Sequence, residues 1–188
     1  MIYSEARKAA GILQSGGIIL YPTDTIWGIG CDATNMESVQ KIYQIKERAD
    51  SKSMLVLVKG INMLEEYLET IPRNALEIIK QAKKATTIIY PGGRNLADNL
   101  MAPDGSIGIR LTSDPFCRKL LELTAKPLVS TSANISGTES PATFQAISTF
   151  IREQVDYIVN LRQDENIPAT PSSIVKLEQD GSVTTLRS

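Results

Sequence analysis

Short runs of apolar, often β-branched residues recur along the chain, separated by longer amphipathic stretches. Each run is too short for a buried helix and therefore predicts a strand. The predicted strands lie at 17–21, 54–58, 86–90, 106–112, 127–131, 156–160, 173–177 and 183–186. Helices alternate with strands early and strands dominate late. This order predicts an α/β fold with one twisted, mixed β-sheet flanked by helices, rather than a purely doubly wound fold.

The stretches between the strands carry apolar residues at helical spacing and polar residues that can cap helices. Asn35 is a predicted N-cap, Asp114 followed by Pro115 is another, and Gly16-Gly17 ends the first helix. The predicted helices cover 4–15, 35–47, 62–68, 73–83, 114–123 and 142–153. The polar, proline-bearing segment 163–171 is predicted to be the most mobile loop.

Composition is that of an ordinary globular domain. At 188 residues, with 42% apolar and 22% charged residues, the chain fits one domain, 1–188, with a sizeable core. Its formal net charge of -1 argues against bulk electrostatic binding of nucleic acid but leaves room for a local basic cavity. The sequence contains no histidine, so imidazole catalysis is excluded. Catalysis would have to rely on positioning, cations, hydroxyls, backbone amides or a bound metal.

The cysteines and the apolar runs indicate where in the cell the protein is located. Cys31 and Cys117 are not spaced as metal ligands and are interpreted as reduced thiols of a cytosolic protein. The first residues lack the apolar core of a secretion signal, and the longest apolar runs are only a few residues. The sequence therefore predicts a cytoplasmic protein without a membrane-spanning segment.

The first candidate site follows the apolar run 18–20. Thr23 and Thr25 place two hydroxyls at the tip of the predicted strand, and Gly28 and Gly30 would let the backbone approach a ligand closely. This arrangement predicts a site for a small polar or phosphorylated molecule. A plain turn built from turn-forming residues is the alternative.

A group of cations forms the second candidate. Lys46 and Arg48 stand two residues apart near a helix end, and Lys52 follows. They cannot share one face while the helix continues, but they can converge on one anion if it breaks there. Arginine suits bidentate phosphate binding and lysine acts as a point charge. The alternative is a solvated helix C-terminus favoured by the helix dipole.

Two further strands carry polar residues. The segment 130–137 puts three hydroxyls, an asparagine and a glycine at the end of an apolar strand, where open α/β proteins bind ligands. Ser106 and Arg110 are four residues apart, so both side chains share one face of a strand. A buried arginine there would need an anionic partner. An ordinary polar loop and an exposed edge-strand arginine are the respective alternatives.

Taken together, these segments resemble one family. The order and spacing of residues 21–33, Lys46-x-Arg48, Ile109-Arg110, and Ser132-x-Asn134 with Ser136-Gly137 closely resemble the YrdC/TsaC family over about residues 10–187. That family comprises the threonylcarbamoyl-AMP synthases. The resemblance implies a single α/β domain with a twisted mixed sheet around a large positively charged cavity.

The resemblance also implies a reaction. The family joins L-threonine, bicarbonate or CO2, and ATP into threonylcarbamoyl-AMP and pyrophosphate, and the product feeds the t6A modification at position 37 of tRNA. A Mg2+ ion would accompany ATP and be held mainly through its phosphates, without a dedicated metal site in the protein. In bacteria the family implies a separate transferase complex that receives the product.

Site residues carry over by matching motif. The resemblance implies Lys46 and Arg48 as catalytic residues. The implied threonine-binding residues are Thr25, Arg110, Ser132 and Ser172. The implied ATP-binding residues are Arg48, Lys52, Ser106, Asn134 and Arg187.

The chain departs from the family pattern in three places. Residues 83–89 stand where many relatives have Pro-Gly-Pro-x-Thr, and Pro91-Gly92 falls after the strand instead. Leu57 stands where some relatives have histidine, and the second serine segment reads Pro171-Ser172-Ser173 rather than Glu-Ser-Thr. The placement of Pro-Gly-Gly resembles the YciO branch. A YciO-like protein, or a non-catalytic module that binds nucleotide or weakly binds RNA, is therefore the alternative.

Overall fold

Nine strands pair side by side into one sheet in the computed structural model, which describes residues 1–47, 54–166, 170–178 and 180–188. They are β1 (Ile19–Tyr21), β2 (Gly28–Gly30), β3 (Leu55–Val58), β4 (Thr86–Tyr90), β5 (Ile107–Leu111), β6 (Leu128–Ser132), β7 (Tyr157–Ile158), β8 (Ser173–Leu177) and β9 (Val183–Arg187). Their order across the sheet is β7-β1-β2-β6-β3-β5-β4-β8-β9. The pairs β1–β7, β3–β5 and β4–β8 are parallel and the other neighbours are antiparallel, which confirms the predicted mixed sheet.

Helices flank this sheet. They are α1 (Ile2–Gln14), α2 (Met36–Ile45), α3 (Ile61–Glu66), α4 (Arg73–Gln81), α5 (Pro115–Thr124) and α6 (Thr149–Glu153), with a short 3-10 turn at Asp98–Leu100. Both predicted N-caps are confirmed. Asn35 accepts a hydrogen bond from the amide of Ser38 at 3.1 Å, and Asp114 accepts one from the amide of Cys117 at 2.9 Å. These bonds satisfy amides that the first helical turn leaves without a partner.

The predicted helix 142–153 is wrong in its first half, since only Thr149–Glu153 is helical. Ser148 caps the short helix through its side chain. Upstream, the guanidinium of Arg152 donates to the carbonyl oxygen of Phe144 at 2.8 Å. A side chain therefore uses a carbonyl that a longer helix would have paired with its own backbone.

The sequence pattern predicts no strand at β2, because its two glycines indicate a point where the backbone approaches a ligand closely. A Cβ atom on Gly30 would lie 2.5 Å from the carbonyl oxygen of Val129 and 2.7 Å from the ring of Tyr21. Gly30 thus makes room for packing within the sheet, and it is not among the described residues that line the cavity. Gly28, by contrast, lines the cavity described below.

The core is continuous through one face of the sheet. Alternate positions on neighbouring strands, among them Val56, Ile109 and Val129, are at most 1% exposed. Cys31 and Cys117 are buried and unbridged, and burial raises the pKa of both thiols. Across the described ranges, we find no helix of the length and apolar character needed to cross a bilayer.

Candidate functional site

The opposite face of the sheet forms the floor of a cavity of about 260 Å³. Side chains two residues apart on a strand share a face, so each central strand contributes alternate positions to this floor. The lining residues are Thr25, Ile26, Trp27, Gly28, Met54, Leu55, Thr87, Ile89, Gly108, Arg110, Ser130, Thr131, Ser132, Ser140, Pro171, Ser172, Ile174 and Arg187. Within this described lining, the charged side chains are two arginines.

Those two arginines lie in one row across the sheet. Ile174 on β8 pairs with Thr87 on β4 and with Arg187 on β9. Continuing the β4–β5 register by one residue beyond Ile88 puts Thr87 opposite Arg110. Arg110 and Arg187 are therefore three strand spacings apart, which places their Cα atoms about 14 Å from each other at roughly 4.8 Å per spacing.

A β-bulge directs Arg187 into this row. Val175 pairs with Thr185, but the next residue back, Ile174, pairs with Arg187. Leu186 is the extra residue, so it takes no partner in this ladder. A regular ladder would put Leu186 opposite Ile174. The bulge thus exchanges a leucine for an arginine at the edge of the cavity, a use of bulges that recurs near functional sites.

Arg110 is joined to the strand-tip hydroxyls. Its Nη1 donates to Oγ1 of Thr25 at 3.1 Å, and the hydroxyls of Thr25 and Thr23 lie 2.9 Å apart. Thr23 also contacts the carbonyl oxygen of Ile26 at 2.8 Å, which accepts its only hydroxyl proton. Thr25 must then donate to Thr23, so the bonds run in one direction and leave the Thr25 oxygen accepting from arginine.

The guanidinium of Arg110 is buried beside one carboxylate. Its Nη2 lies 3.2 Å from Oδ1 of Asp24, and the two side chains are 2% and 16% exposed. Oδ1 of Asp24 and Nε of Arg110 are both buried without a hydrogen-bond partner. The pair is an ion pair of poor alignment, so the buried cation keeps donor capacity that suits an anionic ligand.

Arg187 is joined to the other side of the floor. Its Nε donates to the carbonyl oxygen of Ser172 at 2.8 Å. The hydroxyl of Ser172 lies 2.9 Å from that of Thr87, which faces Arg110 in the row. Burial, and after it the positive charge of Arg110, lowers the pKa of Arg187. The two arginines therefore repel each other across one cavity.

Lys46 lies beneath the site rather than in its lining. It is 1% exposed, and its ammonium donates to the carbonyl oxygens of Ser132 and Asn134, both at 2.6 Å. The carbonyl oxygen of Lys46 in turn accepts from the amide of Ser136 at 2.9 Å. The lysine thus fixes the loop that follows β6, and with it the position of Ser132 in the cavity wall.

The side chain of Asn134 is turned toward its own loop. Its amide nitrogen donates to the carbonyl oxygens of Thr138 at 2.7 Å and Ile135 at 3.0 Å. Its side-chain oxygen is buried without a hydrogen-bond partner, as is the hydroxyl of Ser136. Two polar groups at this loop are therefore buried with hydrogen-bonding capacity unused, and neither residue is in the described lining of the cavity.

The structure brings together part of the predicted site. All four predicted threonine-binding residues and Arg187 line the cavity, namely Thr25, Arg110, Ser132, Ser172 and Arg187. Ser106 does not line it. Its amide donates to Asp104 at 3.0 Å, at the start of β5. Arg48 and Lys52 lie outside the described residues.

The sequence did not point to every lining residue. Thr87 and Ser140 line the cavity but are not among the predicted site residues. The signal for Thr87 was available, because it is a hydroxyl in the otherwise apolar run 86–90. Its importance depends on strand pairing, which places it between the two arginines.

The described residues offer little to a metal ion. No group of three or more acidic or cysteine side chains among them lies close enough to hold one. Carboxylates are the side chains that Mg2+ prefers in proteins, and the described lining contains hydroxyl-bearing residues but no carboxylate.

Comparison with known sequences finds one family model and relatives that share one name. Residues 11–188 match the family model Sua5_yciO_yrdC, described as Telomere recombination. The chain is 36% identical over 180 residues to a putative threonylcarbamoyl-AMP synthase of Methanocaldococcus jannaschii, covering 94% of this chain and 84% of the relative. It is 30% identical over 165 residues to threonylcarbamoyl-AMP synthase of Acinetobacter baumannii, covering 84% of this chain and 87% of the relative.

Solved structures share the fold. Sua5 of P. abyssi complexed with L-threonine superposes with a TM-score of 0.86 at 23% identity, covering 98% of this chain and 54% of that one. YciO of E. coli superposes with a TM-score of 0.85 at 24% identity, covering 98% of this chain and 89% of that one. The chain thus spans about half the length of the Sua5 structure. These matches confirm the predicted architecture.

Proposed function

The chain belongs to the Sua5/YciO/YrdC family, and from this membership we propose that it is an L-threonylcarbamoyl-AMP synthase. It joins L-threonine, bicarbonate or CO2, and ATP, and releases pyrophosphate. The observation that carries the proposal is the buried guanidinium of Arg110, held by Thr25 and facing a cavity rich in hydroxyls.

The Arg110 side of the cavity is the proposed threonine subsite. A fixed, desolvated guanidinium recognises a carboxylate through charge-assisted hydrogen bonds. The hydroxyls of Ser132 and Ser172 lie in the same lining and can contact the hydroxyl and amine of the amino acid. The Sua5 structure that shares this fold was solved with L-threonine, which supports this choice of ligand.

The proposed chemistry needs no imidazole. The amine of threonine captures CO2 as a carbamate, and a carbamate oxygen attacks the α-phosphate of ATP as pyrophosphate leaves. The main task of the protein is to position these groups and to neutralise phosphate charge. The chain's own residues hold the amino acid and fix the loop 132–136. A Mg2+ ion bound with ATP would supply positive charge that offsets the phosphates.

Lys46 has a specific part in this proposal. Its ammonium donates two hydrogen bonds to the 132–134 loop, and these hold in place the part of the cavity wall beside which the adenylate would form. Arg48 and Lys52 are the predicted phosphate ligands, with Asn134, Ser106 and Arg187 as further predicted contacts of ATP. Lys46 would thus be a positioning residue for the nucleotide end of the site.

The product has a defined destination under this proposal. Threonylcarbamoyl-AMP carries an activated carbamoyl group, which a separate transferase complex would move to position 37 of tRNA as t6A. This places the protein in the cytoplasm with ATP, L-threonine and bicarbonate as its small-molecule partners. Contact with RNA would be weak, since the net charge is -1.

A YciO-like role is the second candidate. The chain covers 89% of E. coli YciO, and Pro91-Gly92-Gly93 follows β4 rather than preceding it. Under this alternative the cavity would bind a nucleotide or RNA without forming threonylcarbamoyl-AMP.

Pyrophosphate release separates the two candidates. The purified chain is incubated with ATP, L-threonine, bicarbonate and Mg2+, and blanks omit threonine or bicarbonate in turn. The proposal expects pyrophosphate only when all components are present. Release no greater than the no-threonine blank would exclude the synthase, and tight, salt-sensitive binding of duplex RNA would then favour the binding module.

A further inference from the structure

We propose that the row Arg110, Thr87, Ile174 and Arg187 is a binding site for short dicarboxylates, and that its reaction ligand is N-carboxythreonine. One guanidinium would hold the α-carboxylate and the other the carbamate. This inference rests on the proposed function, because N-carboxythreonine arises only on that path. The resemblance predicts Arg187 only as a contact of ATP. The proposal adds a second role, in which Arg187 binds a carboxylate.

The spacing of the row favours a ligand with two separated charges. The Cα atoms of Arg110 and Arg187 are about 14 Å apart, and both long side chains line the same cavity, Arg110 from the central strand β5 and Arg187 from the edge strand β9. Between them lie only the shorter side chains of Thr87 and Ile174. A small molecule lying on these two residues can therefore reach a guanidinium with each end.

The charges in the cavity also favour a ligand with two negative groups. The described lining contains the two arginines and no carboxylate, and Asp24 reaches Arg110 from outside that lining. One carboxylate would leave the second guanidinium without an anion. A dianion contacts both, and it removes the repulsion that the arginines exert on each other.

The fixed geometry of Arg187 ties it to the amino-acid end of the site. Its Nε bond to the backbone of Ser172 holds one edge of the guanidinium. The Ser172 hydroxyl is paired with Thr87, in the middle of the row. The bulge at Leu186 is what turns Arg187 toward this group. A structural role at the sheet edge alone would not require an arginine at the bulge.

The reaction turns a ligand without net charge into a dianion, which matches the two arginines of the cavity. A C–O bond of bicarbonate breaks to give CO2 and hydroxide, the hydroxide takes an ammonium proton of threonine and leaves as water, and the freed amine bonds to the carbon of CO2. Zwitterionic threonine and bicarbonate thus give the N-carboxythreonine dianion, water and one proton that passes to solvent. The two carboxyl carbons are separated by the α-carbon and the nitrogen. Succinate has the same arrangement, with a CH2 group in place of NH.

Succinate is therefore the probe, without ATP. Trp27 is the single tryptophan and lines the cavity, so its fluorescence reports binding. Succinate and butyrate, which has the same carbon count but one carboxylate, are titrated into wild type, Arg187→Gln and the exposed control Arg73→Gln. We expect wild type and Arg73→Gln to bind succinate about tenfold or more tightly than butyrate, and Arg187→Gln to lose that preference.

Two measurements decide the outcome. Equal affinity for succinate and butyrate in wild type, or an unchanged succinate preference in Arg187→Gln, overturns the dicarboxylate site. Threonine-dependent pyrophosphate release by the same wild-type sample, measured separately, tests the proposed function. Succinate binding that depends on Arg187 without any pyrophosphate release would retain the dicarboxylate site and reject both the synthase and N-carboxythreonine as ligand.

Discussion

Oδ1 of Asp24 lies 3.2 Å from Nη2 of Arg110, and among the described residues Asp24 is the one carboxylate within ion-pair distance of that guanidinium. The other oxygen of Asp24 accepts a long hydrogen bond of 3.4 Å from Ser113. The carboxylate therefore orients Arg110 from behind the cavity and offsets its charge.

Asp24→Asn is expected to weaken the site and the fold together. The uncharged amide leaves the buried guanidinium without a counter-charge, so the free energy of unfolding should fall by about 1–3 kcal/mol. Loss of orientation should raise the KM for threonine about tenfold, with a smaller change for ATP. Chemical denaturation and steady-state kinetics measure the two effects. The exposed Asp164→Asn is the matched control, and equal behaviour of both variants would contradict the role given to Asp24.

Lys46→Ala is expected to lose both activity and stability. The substitution removes the donor that the carbonyl oxygens of Ser132 and Asn134 share. Ser132 keeps the amide of Asn134 as a donor at 2.9 Å, so the cost of about 1–3 kcal/mol falls mainly on the carbonyl oxygen of Asn134. Pyrophosphate release should fall strongly because the wall at Ser132 moves. Lys80→Ala on the exposed surface of α4 is the control. A Lys46→Ala variant with full activity would show that the loop needs no such support.

Gly30→Ala and Gly11→Ala should have opposite effects on stability. A methyl group at Gly30 meets the Val129 carbonyl oxygen at 2.5 Å, so the free energy of unfolding should fall by about 1–3 kcal/mol or more. Gly11 lies within α1 with nothing within 4 Å of the added carbon, and alanine there should stabilise by about 0.5–1 kcal/mol. Thermal denaturation measures both, and a neutral Gly30→Ala would reject the packing argument.

Glu5 should make stability depend on acid pH. Burial raises the pKa of its carboxyl, but hydrogen bonds from Lys8, Tyr157 and the amide of Asn160 outweigh that effect and lower it overall. The folded pKa is thus below the unfolded one near 4.3, so this stabilisation is complete above the unfolded pKa and is lost as pH falls through the folded pKa.

Glu5→Gln is the test of that assignment. The variant should be less stable than wild type at pH 7 by about 1 kcal/mol, and the difference should shrink as the pH drops below 4. Chemical denaturation at several pH values measures it, with the exposed Glu139→Gln as control. A difference that stays constant with pH would rule out a depressed pKa for Glu5.

Local signals made much of the fold predictable. The run 86–90 is a strand because it is short and β-branched, and Asn35 and Asp114 cap helices because their side chains reach the first free amides. Those causes act within a few residues of the chain. The helix predicted from residue 142 is too long for a different reason. The side chain of Arg152, eight residues away, donates to the carbonyl oxygen of Phe144 in place of a helical backbone amide.

The parts of the site that could not be predicted from the sequence depend on contacts between residues far apart in the chain. The acceptors of Lys46 lie 86 and 88 residues away, so its position beneath the loop depends on tertiary pairing. Thr87 meets Ser172 across 85 residues. The register that aligns Arg110 with Arg187 likewise follows from strand order, which no local pattern encodes. The motif resemblance alone predicts five of the cavity's polar residues, the four implied threonine-binding residues and Arg187.

The bulge at Leu186 also bears on how such a site can change over evolutionary time. In a regular ladder Leu186 would face Ile174, and the far end of the cavity would be apolar. Changing which of two adjacent residues faces the cavity alters the charge of the pocket while the nine-stranded sheet is kept. Descendants of one ancestral fold could in this way acquire different ligands through a change of local register at the edge of the sheet, with the buried core left intact.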